Sequence, residues 1–152
     1  MNIKNKVLVY LTWRDSLLSF TQPEFPDAGR QVIAGTIESN EEAAAAALRE
    51  LSEESGIGNA EIERVLGNYY YSMSKFGRNE IQHRHVVHAR LSDAIPIAET
   101  WTHFERHPST GGEPIEFRLQ WLPLFKKEPE LIAGHGFFIP MLEHFLRENM
   151  AA

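Results

Sequence analysis

The chain contains no cysteine. Disulfides, thiolate metal sites and cysteine nucleophiles are therefore excluded. A protein without disulfides fits the cytoplasm, which is the expected location. No apolar run approaches the roughly 20 residues needed to span a bilayer, so no membrane partner is expected. The opening stretch MNIKNKVLVYLTW reads as a strand rather than a secretion signal. Positive charge is scarce: 15 Lys and Arg stand against 21 Asp and Glu, a formal net charge of -6. A general nucleic-acid binder would carry a basic footprint, so no nucleic-acid duplex is expected as a partner. A nucleotide-sized substrate is not excluded, because a bound metal and a few arginines reverse the field locally. Internal repeats are missing, and the one low-complexity tract, Ala43 to Ala47, is more simply strong helix propensity.

What is present is an ordinary globular composition, 43% hydrophobic and 24% charged over 152 residues. It predicts one domain over 1–152 with a single core. Val7 to Leu11 reads as a buried strand, Arg14-Asp15-Ser16 as a turn, and Leu17 to Phe20 as a strand paired with the first. Gln31 to Ala34 is a short strand running into Gly35. Glu41 to about Ser55 is a helix, capped by Ser39 or Asn40, with Glu41 and Glu42 in its first turn and Gly56 ending it. Ile62 to Ser72 and Glu80 to Leu91 read as strands joined by a turn at Phe76 to Asn79. Ser92 to Pro114, rich in proline and glycine, reads as one long loop of functional type. Glu116 to Leu124 is a strand. A final helix begins near Pro140, with Ile139, Leu142, Phe145, Leu146 and Met150 on one face. The fold class is α/β, a mixed sheet covered on both sides.

The helix carries the chemistry. On a wheel of about 100° per residue, Glu50, Glu53 and Glu54 share an arc of roughly 100°, while Ala44, Ala47, Leu48, Leu51 and Ser55 form a packing arc beside it. A solvated acidic face is the ordinary explanation of such a cluster. Three features oppose it: the acids lack lysines at i+4, they sit where the macrodipole disfavours them, and they repel one another. A hard divalent cation removes all three difficulties, because carboxylate oxygens are the ligands it takes.

The same stretch resembles the Nudix box, G-x5-E-x7-R-E-U-x-E-E-x-G-U with U aliphatic. Here Gly35, Glu41, Arg49, Glu50, Leu51, Glu53, Glu54, Gly56 and Ile57 fill every constrained position. The resemblance implies a Nudix-type α/β/α sandwich with a mixed, mostly antiparallel sheet. It also implies hydrolysis of a nucleoside diphosphate linked to some group X, with Mg²⁺ as cofactor and Mn²⁺ as a substitute. Glu50, Glu53 and Glu54 would be metal ligands, with a backbone carbonyl from Ala34 or Gly35. Glu53 or Glu54 would serve catalysis, Arg49 would orient the glutamates, and Glu41 would steady Arg49. A further glutamate outside the box is often used in the family; of Glu80, Glu99, Glu105, Glu113 and Glu116, the one favoured is Glu113, after Gly111-Gly112.

Arg84, Arg14 and Arg78 are candidates for the substrate's phosphates, Arg84 first. Trp101 and Tyr69 to Tyr71 are candidates for stacking on a base. His83 and His85 share a strand face and His88 points the other way, which argues against a three-histidine zinc site. His135 reads as a loop residue near the final helix. Markers that accompany ADP-ribose or diadenosine polyphosphate hydrolysis in the family are missing from their usual positions. The alternative function is a non-catalytic Nudix-fold nucleotide sensor, which the complete acid set disfavours. Isopentenyl diphosphate isomerase shares the fold, but its common form uses a cysteine. A homodimer is left open.

Overall fold

The computed structural model describes residues 2–106 and 111–151. Seven strands and two α-helices follow in the order β1 (Asn2–Trp13), β2 (Ser16–Thr21), β3 (Ile33–Thr36), α1 (Ala43–Ser55), β4 (Glu61–Ser72), β5 (Glu80–Arg90), β6 (Thr100–Glu105), β7 (Ile115–Pro123) and α2 (Ile139–Ala151). The strands form one sheet in the order β4-β5-β1-β2-β7-β6, with β3 paired to β1 beside β2. β1 runs parallel to β5, and every other pairing is antiparallel. The sheet is therefore mixed and mostly antiparallel, with a helix on each face, as the α/β reading expects.

Strand alternation divides the apolar residues into two cores. Val7, Val9 and Leu11 of β1 pack with Ala46, Ala47 and Leu51 of α1. Leu8 and Tyr10 turn the other way and pack with Ile139 and Leu142 of α2. The β1–β2 hairpin turns on Arg14 and Asp15, both at positive φ (48° and 59°), as a two-residue loop between twisted strands requires.

Three expectations are corrected. Ser92 to Pro114 is not one loop: β6 lies inside it, and Thr100 to Glu105 alternate exposed and half-buried along its length. The prolines and glycines around this hexapeptide mask a strand whose Thr-Trp-Thr-His-Phe-Glu pattern has strand chemistry. Pro108, within that stretch, lies outside the described residues. Secondly, α1 begins at Ala43 with Glu42 as its N-cap and no side-chain cap. Asn40 adopts a left-handed conformation (φ 65°), and Glu41 turns to Arg49 instead of entering the first turn. Thirdly, the buried arc of α1 comprises Ala46, Ala47, Glu50, Leu51, Glu54 and Ser55, while Leu48 is 39% exposed. Two of the three acids thus belong to the packing face rather than to a separate one. In α2, Ile139 and Leu142 are buried and Phe145 and Leu146 pack against them; the Met150 side chain lies outside the described residues.

Candidate active site

The site is built where α1 lies against β3. Glu50 and Glu54, one helical turn apart, are buried at 7% and 8% exposure. They sit against backbone because Gly35 has no side chain. A β-carbon there would come within 2.1 Å of the Glu50 carboxylate. Glu54 accepts the Ala34 N–H at 3.1 Å. Glu53, next along the helix, lies at the exposed rim.

Arg49 ties this cluster to the loop before the helix. Its guanidinium holds both oxygens of Glu41 at 2.9 Å, a two-pronged ion pair. It also donates to the Thr36 carbonyl at 2.9 Å and to Glu50 at 2.8 Å, and reaches Glu53 at 3.5 Å. Glu41 in turn accepts the Glu38 N–H at 3.0 Å. Hydrogen bonding from Arg49 holds the Glu41 carboxyl down, at about 2.

The other acids are pushed the opposite way. Burial, aided by Glu53 and only partly offset by Arg49, raises Glu50 to about 7. Burial, with the Glu50 charge beside it, holds Glu54 well above the usual carboxylate range. Glu105, at the end of β6, is raised by burial and by Glu53. It reaches the cluster because β6 packs across the C-terminal end of α1. There the Trp101 indole donates to the Ser55 carbonyl at 3.0 Å, and His103 lies against Gly56.

Glu50, Glu53, Glu54 and Glu105 line a cavity of about 400 Å³ with Arg49, Ala34, Gly35 and Lys6. Among the described residues no three acidic or histidine side chains converge into a ready cage; Arg49 reaches between Glu50 and Glu53. The donor set is nevertheless all oxygen, Glu50, Glu54 and Glu105 are raised by burial, and Gly35 lets the Glu50 carboxylate lie directly against the backbone. Those features fit a hard divalent cation.

A second cavity of about 340 Å³ opens on the other side of β3 and shares Lys6, Gln31, Ala34 and Gly35 with the first. Arg84 and Arg78 line it. Arg14, Trp101 and Glu113 are not brought to either cavity. Arg14 bonds the Asp93 carbonyl at 2.9 and 3.1 Å and stacks on Trp13. Trp101 is occupied by the helix end, and Glu113 is exposed. Tyr69 stacks on Phe137, Tyr71 lies under Arg84, and the exposed Tyr70 stacks on His83. His88 is buried on the α2 side, bonded to Thr12 at 2.8 Å. His135 is a buried loop residue that accepts the Val32 N–H at 3.2 Å. Lys6 escaped the sequence reading. Its signal is alternation with Leu8 and Tyr10, which puts it on their strand face at the edge of both cavities.

A family model for the NUDIX domain matches residues 3–130. The chain belongs to the Nudix family. Its domain is the pyrophosphohydrolase domain of that family, and solved Nudix structures share the fold. An Ap4A hydrolase from C. elegans aligns with TM-score 0.65 at 14% identity, over 95% of this chain and 98% of that one. A UDP-X diphosphatase aligns with TM-score 0.64 at 15% identity, over 98% of this chain; the Nudix chain spans 65% of that protein's length. The E. coli ORF135 protein aligns with TM-score 0.59 at 21% identity, over 99% of this chain and 94% of that one. No curated protein matches the chain. Among the described residues, no helix of this Nudix chain is long and apolar enough to cross a membrane.

Proposed function

We propose that the chain is a divalent-metal-dependent pyrophosphohydrolase that cuts the diphosphate linkage of a nucleoside diphosphate derivative. The observation that carries this reading is the pair of buried carboxylates, Glu50 and Glu54, packed against Gly35 and Ala34 with one guanidinium beside them. Burial disfavours the charge on both carboxylates, Arg49 offsets that only at Glu50, and a bound divalent cation would offset it for the pair. Glu50, Glu53 and Glu54, with a backbone carbonyl of Ala34 or Gly35, would hold Mg²⁺ or Mn²⁺. When bound, the metal neutralises phosphate charge and makes water a better nucleophile at neutral pH.

The chain's own groups do the remaining work. Arg49 fixes the position of Glu50 and leans on Glu41, which anchors it to the loop. Glu105 takes the part expected of Glu113: it lines the acid cavity, and its raised pKa keeps its carboxylate basic enough to accept a proton from the attacking water. Arg84, Lys6 and Arg78, in the adjoining cavity, hold the rest of the substrate.

The test is a product-resolved screen of nucleotide sugars, dinucleotides, nucleoside triphosphates and coenzyme A with Mg²⁺ and with Mn²⁺. Glu53→Gln and Glu54→Gln are expected to lose turnover on the best substrate with the fold intact. Full activity in both variants would refute the site. Tight binding with no product over long incubation would mean a sensor instead.

A further inference from the structure

The two cavities that meet over β3 have opposite chemistry. One is lined by five glutamates, Glu38, Glu50, Glu53, Glu54 and Glu105. The other presents Lys6, Arg78 and Arg84 against a single acid, Asp27, with Met73 and Phe76 among its apolar walls. Its volume of about 340 Å³ is that of a small-ligand site.

Arg84 is the decisive residue. Its side chain is 1% exposed, and a charge so deeply buried ordinarily faces a carboxylate. Among the described residues no carboxylate lies within ion-pair distance of it. Nε donates to the Gln82 side-chain oxygen at 2.9 Å. Nη1 donates to the Tyr69 hydroxyl at 3.2 Å and to the Ala133 carbonyl. Nη2 has only the Met73 sulfur, at 3.7 Å. The guanidinium sits over the Tyr71 ring, 4.2 Å from its centre.

Arg84 is therefore held in place by neutral partners, and among the described residues no carboxylate offsets its charge where it lines the cavity. The acid two residues beyond Gln82 is engaged elsewhere. Glu80 accepts the Gln82 amide at 2.9 Å and pairs with Arg78 at 3.5 Å and Lys4 at 3.7 Å. Lys6, the register partner of Arg84 on β1, donates to the neutral Thr36 hydroxyl at 2.8 Å. A preorganised cationic pocket of this kind gains most from a ligand that brings the missing negative charge.

We propose that this cavity binds an anionic group of the substrate other than the diphosphate being cut. The substrate class is then a nucleoside diphosphate derivative whose X group or ribose carries its own phosphate or carboxylate. This rests on the hydrolase reading for the position of the scissile bond. Ala34 and Gly35 line both cavities, so a substrate spanning them crosses β3. The acid half repels a free anion and the basic half attracts it, which sets the substrate's direction.

Two matched ligand pairs test this by calorimetry on the full chain in EDTA, where no metal contributes. UDP-glucuronate against UDP-glucose adds a carboxylate on X. Coenzyme A against dephospho-coenzyme A adds a phosphate on the ribose. In at least one pair the more anionic member is expected to bind about tenfold tighter. Arg84→Gln is expected to bring that ratio within about twofold of one. Arg78→Gln, at the exposed rim, is expected to lower it at least about threefold, and serves if Arg84→Gln does not fold. A ratio near one in both pairs, or a ratio that survives these variants, overturns the inference. Hydrolysis of both members of each pair with equal kcat/KM also overturns it and leaves the hydrolase reading standing. Discrimination in binding without product in Mg²⁺ does the reverse.

Discussion

At the residue scale, the acid pair trades stability for chemistry. Two buried carboxylates beside one arginine are costly to a fold, and replacing one by a neutral isostere of equal size relieves that cost. Glu54→Gln is therefore expected to gain about 1 kcal/mol in metal-free buffer while turnover falls at least about a hundredfold. Denaturant titration and a hydrolysis assay measure the two quantities; loss of stability would contradict the repulsion argument. Gly35 sits at the same junction. The group a β-carbon would strike is the tip of the Glu50 side chain, which can swing aside more cheaply than backbone can. Gly35→Ala should thus cost less than about 1 kcal/mol yet lower activity by tenfold or more, because the displaced carboxylate no longer faces the site. Equal activity with Ala at position 35 would mean that Glu50 need not stay where it is.

At the element scale, α1 is the part of the molecule most legible in the sequence. Its periodicity, its terminal Gly56 and the spacing of Arg49, Glu50, Glu53 and Glu54 are all local properties. What periodicity could not show is which arc faces the sheet. Leu48 looks like a core residue and is exposed, while Glu50 and Glu54 look like surface and are buried. The answer depends on the approach of β3, where Gly35 leaves room for Glu50, and that is a tertiary fact. The same limit explains β6. Its residues favour a strand, but its partner β7 lies beyond two glycines and two prolines, so pairing could not be inferred locally. On the sequence Glu105 therefore ranks below Glu113, although strand alternation from Trp101 through His103 leads straight to it. The close contact of α1 with the sheet has its own test. Ala47 is fully buried, and Ala47→Leu would force the helix away from β1. A loss of about 1–3 kcal/mol is expected, read by thermal unfolding, with activity falling as the carboxylates move off β3. A neutral outcome would mean the interface is looser than its packing indicates.

At the scale of the whole molecule, two groups of buried titratable residues pull stability in opposite directions with pH. His135 and His88 are buried neutral, at about 3 and about 4, in both cases through burial first. Their folded values lie below the unfolded value, so their contribution is complete above about pH 6.5 and is lost as pH falls toward 4. For His135 alone the loss by pH 4 is on the order of 3 kcal/mol. Protonation would also remove the acceptor that Val32 uses, loosening the floor of the basic cavity. Glu50, Glu54 and Glu105 act with the opposite sign. Their folded values are raised, so the fold is favoured while they are protonated and weakens as pH climbs above about 4.5. Between about pH 4.5 and 6.5 the two sets largely cancel, so a chain without divalent ions should lose stability below that window, where the histidines dominate, and above it, where the glutamates do. If Glu50, Glu53 and Glu54 hold Mg²⁺, the ion competes with protons for the same oxygens and should restore the alkaline limb selectively. Thermal unfolding in EDTA and in Mg²⁺ at pH 5 and pH 8 tests this. At pH 8 the ion should raise Tm by several degrees, roughly 2–4 °C for each kcal/mol gained by a protein of this size. At pH 5 the shift should be near zero. Equal shifts at the two pH values would show that Mg²⁺ stabilises the chain at some place other than the acid pair.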